Sequence, residues 1–254
     1  MQRLLSLVAF VPMWTGCATA VPDELAGEST DDDGIADGKS DGATTSDSYT
    51  YFQIVADQRK CPSPWCGGWF VQRLNRTQTE CYDGAYGPSC YAPWLDWSEA
   101  RLSDANRAAL LDGCERGATA DGTVAIVRGR FREMGEGAFT ITEAWLVDGE
   151  GVSDGVFVRV RDNGVRCFTS PCPHLTESRL NSVRTADIDE LDPMTDELSK
   201  AVNSPRGALI AGHRYDVYDN GHAGKGRTVT ASYRQLPPGR TCGNELGGLD
   251  QDSK

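Results

Sequence analysis

Residues 51–75 and 157–181 spell one pattern twice. The first copy reads Tyr51-Phe52-Gln53-Ile54, then Cys61-Pro62-Ser63-Pro64-Trp65-Cys66, then Arg73-Leu74-Asn75. The second reads Phe157-Val158-Arg159-Val160, then Cys167-Phe168-Thr169-Ser170-Pro171-Cys172, then Arg179-Leu180-Asn181. Strand, cysteines and the Arg-Leu-Asn triplet all coincide at a single offset of 106 without a gap. So many coincidences at one spacing point to an internal duplication, and hence to a fold built twice from one small plan.

The rest of each copy follows the same plan. Phe52 and Ile54 alternate as Val158 and Val160 do, turning one apolar face inward. A second strand is expected over Trp69–Leu74 and over Leu175–Leu180. Ser103 and Thr195 are good N-caps for helices over Asp104–Leu111 and Asp196–Val202, each with an acid in the first turn. Two further strands complete each copy: Val124–Phe131 corresponds to Ala208–Tyr215, and Thr140–Trp145 to Thr228–Tyr233. Gly135-Glu136-Gly137 and Asn220-Gly221 supply the turns between them. The expected fold class is therefore α+β: two tandem disulfide-braced units, each a mostly antiparallel sheet with one helix, in the order β-loop-β-α-β-β. Unit one spans 50–148 and unit two 155–237, with a C-terminal tail over 238–254. A unit of this size has a marginal core, which gives cross-links a physical role; the alternative is that the units pair into one continuous body, since the short joint Asp148–Gly155 leaves little room for independence.

The N-terminal residues are expected to lie outside this fold. Arg3 precedes an apolar run, Leu4–Trp14, of signal-peptide length and too short to span a membrane. Thr15-Gly16-Cys17 resembles the lipobox of bacterial lipoproteins, which implies a signal peptide over 1–17 and a lipid on Cys17. Trp14 departs from the aliphatic residue usual there; an ordinary secretory signal cut near Ala18–Ala20 is the alternative. Residues 18–49 read as a disordered acidic tether. Pro22–Ser48 holds nine acids and one lysine, carrying −8 of the chain's −12. The acidity thus belongs to a spacer and says little about a binding surface. Asp31-Asp32-Asp33-Gly34 fails the EF-hand register, since Ser29 and Ser40 would take its first and twelfth places.

Nine cysteines leave one over in an oxidising compartment. A lipid on Cys17 would use the odd one and leave four bridges. Two-residue spacing at a helix N-terminus marks redox-active pairs; here four residues intervene between flanking strands. A four-cysteine zinc site would need symmetry to bring the two pairs together. Local disulfides are expected instead: Cys61 with Cys66, Cys167 with Cys172, and Cys81 with Cys90. Cys114 and Cys242 pair by elimination. The insertion Thr77–Tyr91, with Cys81 and Cys90, occurs only in the first copy and is where a duplicated scaffold would acquire a specific role.

No catalytic constellation emerges. His174, His213 and His222 form no metal-binding pair on a helix face, and no nucleophile elbow, phosphate loop or dinucleotide fingerprint is present. Gly221–Gly226 reads as a hairpin turn. Asp187, Asp189, Glu190 and Asp192 read as a solvated run before a helix. No basic stripe suits nucleic acid, and no cofactor is expected. What remains is an aromatic concentration in unit one: Trp65, Trp69, Tyr82, Tyr86, Tyr91, Trp94 and Trp97. Trp69, Trp94 and Trp97 are expected to complete a core, and Trp65, Tyr86 and Tyr91 are the candidate binding residues.

Arg59-Lys60-Cys61 with Cys66-Gly67-Gly68, and Arg166-Cys167 with Ser170-Pro171-Cys172-Pro173, are similar to an uncharacterised family of bacterial secreted lipoproteins. That family has a cysteine-containing domain of unknown function, often behind an acidic tether, and the resemblance covers about residues 50–237. It implies no catalytic residues. The expected function is a non-enzymatic, lipid-anchored envelope protein, held to the outer membrane through Cys17 and binding a protein or glycan. The alternatives are a secreted hydrolase inhibitor presenting the stiff Cys61–Cys66 loop, and an enzyme of unrecognised type.

Overall fold

The computed structural model describes residues 50–60, 66–132, 137–149, 151–219 and 221–239. In chain order these form β1 (Thr50–Ala56), β2 (Trp69–Arg73), β3 (Thr79–Glu80), β4 (Tyr86–Gly87), β5 (Cys90–Ala92), β6 (Leu95–Asp96), α1 (Asp104–Gly117), β7 (Ala125–Phe131) and β8 (Phe139–Asp148). After the joint come β9 (Val156–Asp162), β10 (Leu175–Arg179), β11 (Thr185–Ile188), β12 (Glu190–Asp192), α2 (Asp196–Val202), β13 (Ala208–Asp219) and β14 (His222–Gln235). Both helices start where the caps predict. Ser103 Oγ accepts from Asn106 N at 3.2 Å, and Thr195 Oγ1 from Leu198 N at 3.1 Å. The first helix runs past its expected end at Leu111 to Gly117, because Gly113, Cys114 and Gly117 continue the face packed on the sheet. A Cβ at Gly113 would stand 2.4 Å from Leu146 Cδ2, so a larger residue there would have to displace the Leu146 side chain between helix and sheet.

The sheet is mostly antiparallel, as expected, but there are not two sheets. One path runs β11-β10-β9-β13-β14-β8-β7-β1-β2-β5, joined where Ser232–Gln235 of β14 pair with Trp145–Asp148 of β8. Short β6 and β12 pair in parallel with β8 and β14 respectively, and β3–β4 make a separate hairpin. Strand alternation then builds three cores. Phe52, Ile54, Val71, Val127, Phe139 and Ile141 pack with Leu110 and Cys114 of α1. Val158, Val160, Ile188 and Ile210 pack with Leu198 and Val202 of α2. The opposite faces of both halves meet in a shared core of Leu74, Ile126, Trp145, Leu180, Leu209, Ala231 and Tyr233. The sheet thus wraps around an inner core and carries one helix on each outer flank.

Two asparagines stitch the wrap. Asn75 and Asn181 follow β2 and β10 and both sit in the left-handed region at φ 57°, which asparagine tolerates better than most residues. Asn181 Oδ1 accepts from Tyr51 N at 2.8 Å, while its Nδ2 donates to Tyr51 O and Leu74 O at 2.7 and 2.9 Å. Asn75 does the same to the other half. Its Oδ1 accepts from Phe157 N at 2.9 Å, and its Nδ2 donates to Phe157 O and Leu180 O at 2.8 and 3.0 Å. Each side-chain amide fills the ladder position that β2 or β10 vacates where it turns away. Inside, each half contributes an equivalent aromatic pair to the shared core: Tyr51 lies against Trp145 at 5.6 Å and Phe157 against Tyr233 at 6.0 Å.

The long hairpins correct one alignment. Both carry a bulge, between Arg128 and Gly129 and between Ala211 and Gly212. A Cβ would meet Thr140 O at 2.3 Å in the first and Thr228 O at 1.7 Å in the second. Aligning the bulges sets Ile126 opposite Leu209, both in the shared core, one residue away from the register expected from sequence. Gly221, at φ 80°, lies in the turn between Asp219 of β13 and its partner His222 of β14, as expected, but His222–Gly226 belong to β14 rather than to a loop. Of the acids expected to be a solvated run, Asp187, Glu190 and Asp192 are exposed but sit in strands, and Asp189 is half-buried in the bend between β11 and β12; the side chains of Asp187, Asp189 and Glu190 have partners. Asp187 accepts from Thr176, Asp189 from Lys225 N at 2.6 Å, and Glu190 from Tyr215 OH at 2.8 Å.

Candidate functional site

Two of the expected bridges are present in full. Cys81–Cys90 and Cys167–Cys172 have Cα–Cα separations of 5.4 and 5.6 Å. Cys66 is also disulfide-bonded; Cys61, its expected partner, lies outside the described residues, as do Cys17, Trp65 and Cys242. Cys114 departs from expectation: it is a free thiol, wholly buried in the core under α1. Burial pushes it up to about 12, with the nearby Glu115 carboxylate adding to the shift. A thiol so placed is a small apolar filler and not a nucleophile. Among the described residues no group of His, Cys, Asp and Glu could hold a metal ion, and no helix is long and apolar enough to cross a membrane. The disulfides point to an exported or extracellular chain.

The insertion of the first half builds an aromatic face. The Cys81–Cys90 bridge closes it, and β3–β4 fix its shape, with Cys81 N donating to Ala85 O at 2.8 Å and Gly84 N to Cys81 O at 3.0 Å. Tyr82 and Tyr86 project from it, 53 % and 62 % exposed. Tyr82 lies 6.3 Å from the Phe131 ring; a Cβ at Gly137 would be 3.1 Å from both Tyr82 Cε1 and Pro93 Cδ. Trp94 follows Pro93 and is 43 % exposed. That corrects its expected place in the core, since Phe139 N donates to Trp94 O at 3.0 Å and fixes the backbone while the ring turns outward. Trp69 and Trp97 do pack against the core.

Tyr91, the other described candidate, is half-buried on β5 and belongs to a second cluster. Its ring stands 5.7 Å from Phe70, and the Arg59 guanidinium lies 5.1 Å from the Phe70 centroid and 5.5 Å from that of Tyr91. Arg59 also forks onto Asp57, with Nε 2.9 Å from Oδ1 and Nη2 2.8 Å from Oδ2. Those hydrogen bonds hold the Asp57 carboxyl below the usual carboxylate range. Tyr91 is thus packed into a half-buried cluster, whereas Tyr86, like Tyr82 and Trp94, is exposed. Sequence reading counted Tyr82 in the aromatic concentration without naming it a binding candidate, and placed Trp94 in the core. Pro93 beside Trp94 was the available sign, because a proline at the sheet edge interrupts the alternation that would bury the ring.

In the second half, the Cys167–Cys172 loop carries a wholly exposed Phe168 at its tip. The loop is anchored as its counterpart is: Asn163 N donates to His174 O at 3.0 Å, where Asp57 N donates to Gly68 O at 2.8 Å. His174 turns its Nδ1 onto Cys172 O at 2.9 Å, and His213 faces Asp154 at 3.2 Å, so neither converges on the other. No curated protein and no solved structure matches the chain. Residues 50–233, from the first strand to the last, match the model of a domain of unknown function (DUF6748), and the chain belongs to that family.

Proposed function

We propose that this chain is a non-enzymatic, lipid-anchored protein of the cell envelope that binds a protein or glycan through the aromatic face of its disulfide-closed insertion. The exposure of Tyr82 and Tyr86 on an element found in only one half, with exposed Trp94 three residues beyond it, carries the reading. Rigid aromatic side chains supply contact area at little entropic cost, and a bridged loop loses little freedom on binding. The two halves are read as copies of one plan, with matched asparagines, bulges and parallel short strands in support. The scaffold is thus doubled and the recognition element added once. The anchor rests on the sequence ending at Cys17, and intact mass of the exported protein tests it by the presence of diacylglycerol.

Binding is tested by titrating envelope glycans and proteins while following tryptophan fluorescence. A ligand found this way should lose at least about tenfold in affinity to a Tyr82→Ala/Tyr86→Ala/Trp94→Ala variant, at the loss expected for aromatic anchors. The variant's unfolding midpoint should stay near that of the parent, because the three rings are exposed. Unchanged affinity in the variant would remove this face from consideration.

A further inference from the structure

A cleft of about 280 Å³ lies between α2 and the joint of β8 with β14, away from the aromatic insertion. Arg159, Arg206 and Arg234 line it together with Trp145, Leu198 and Leu209. We propose that this cleft binds a small organic carboxylate with an apolar body.

Arg159 is set in advance. Its guanidinium lies 5.5 Å from the Tyr51 centroid and 5.8 Å from that of Trp145, and Nη2 donates to Tyr51 OH at 2.9 Å. Arg206 is held by a neutral group: its Nη1 donates to Gln235 Oε1 at 2.7 Å. Gln235 Nε2 donates in turn to Glu143 Oε2 at 3.0 Å, and Arg128 already neutralises Glu143 at 2.8 Å. Positioning bonds therefore fix two guanidinium groups without spending their charge on a carboxylate, and a guanidinium fork matches a carboxylate's two oxygens. Among the described residues, the acids lining the cleft are Asp148 and Glu197, both exposed. Among the described lining residues, three cations stand against two acids, which suits a monoanion over a dianion. Leu198, Leu209 and the edge of Trp145 offer an apolar wall, and the volume is at the small end for ligand sites, enough for one ring and its acid group.

Isothermal titration of the exported protein with benzoate tests the assignment, with benzamide as the neutral probe and phenyl phosphate as the dianion. Saturable benzoate binding is expected, with benzamide weaker by tenfold or more. Arg206→Gln and Arg234→Gln, both at exposed positions, should each weaken benzoate about tenfold, as loss of a charge-assisted hydrogen bond does, with unfolding midpoints unchanged. The aromatic-face triple variant should bind benzoate as the parent does, which separates this site from the one proposed above. Absent benzoate binding, equal binding of benzamide, or indifference to both arginine variants overturns the site. Tighter binding of phenyl phosphate than of benzoate overturns the carboxylate assignment.

Discussion

Asn75 and Asn181 show how much one side chain can do when it stands in for backbone. Each makes three hydrogen bonds to the other half and holds a left-handed conformation at φ 57°. Alanine at either position loses those bonds, worth about 1 kcal/mol each net, and meets a backbone penalty of about 1–2 kcal/mol. Asn181→Ala is therefore expected to cost about 3–5 kcal/mol in urea unfolding, and Asn181→Gly about 1 kcal/mol less because only the bonds go. Equal stabilities for the alanine and glycine variants would show that the left-handed backbone contributes nothing. The sequence displayed both asparagines as part of a repeated triplet. It could not show that each serves the other copy, because that partnership spans 130 residues between Asn181 and Tyr51.

Among the elements, the two halves solve one packing problem in opposite ways. On the helix-covered face of the second half, Glu177 of β10 is buried against Arg227 of β14 and Arg214 of β13. Arg227 Nε donates to Glu177 Oε2 at 2.6 Å and Nη1 to Gly212 O at 2.6 Å; Arg214 Nε donates to Glu177 Oε1 at 2.5 Å. The matching positions in the first half, by repeat offset, bulge and strand pairing, are Val71, Phe139 and Phe131, with the two phenyl rings edge to face at 5.1 Å. A buried ion cluster loses heavily when one partner is removed, yet often tolerates wholesale apolar replacement. Glu177→Val alone should destabilise by about 3–5 kcal/mol, whereas Glu177→Val/Arg214→Phe/Arg227→Phe should regain most of that loss in the same unfolding assay. A triple variant no more stable than the single one would mean that the halves do not share side-chain geometry here. Elements with a strong local signal were legible: both caps, the helix starts, and the paired β1–β2 and β9–β10 strands. The two-to-four-residue strands β3–β6, β11 and β12 were not, since so few residues carry no period. Only the recurrence of Leu95-Asp96 as Leu191-Asp192, in equivalent parallel pairings, hinted at two of them. The aromatic face was half legible: composition gathered the rings in one half, but exposure depended on where Pro93 and the bridge turned them.

At the scale of the whole molecule, each half keeps a core under its own helix, and a third core on the opposite face of the one sheet is shared between them. The stitch also has a mechanical meaning. The sheet begins at Thr50, one residue before the peptide group that Asn181 grips from both its N–H and its C=O. If the segment ahead of Thr50 is moored to a surface, any pull on the chain arrives first at Tyr51. There it meets β2 on one edge, β7 on the other, and the far half through one amide. Load would thus be shared across the molecule at its point of entry instead of peeling β1 away by itself. Forced unfolding from the N-terminal end should need less force in Asn181→Ala, and an unchanged rupture force would show that Asn181 bears no load. The repeated asparagine, first visible as a letter in a duplicated triplet, would then act as the rivet between a tether and its cargo.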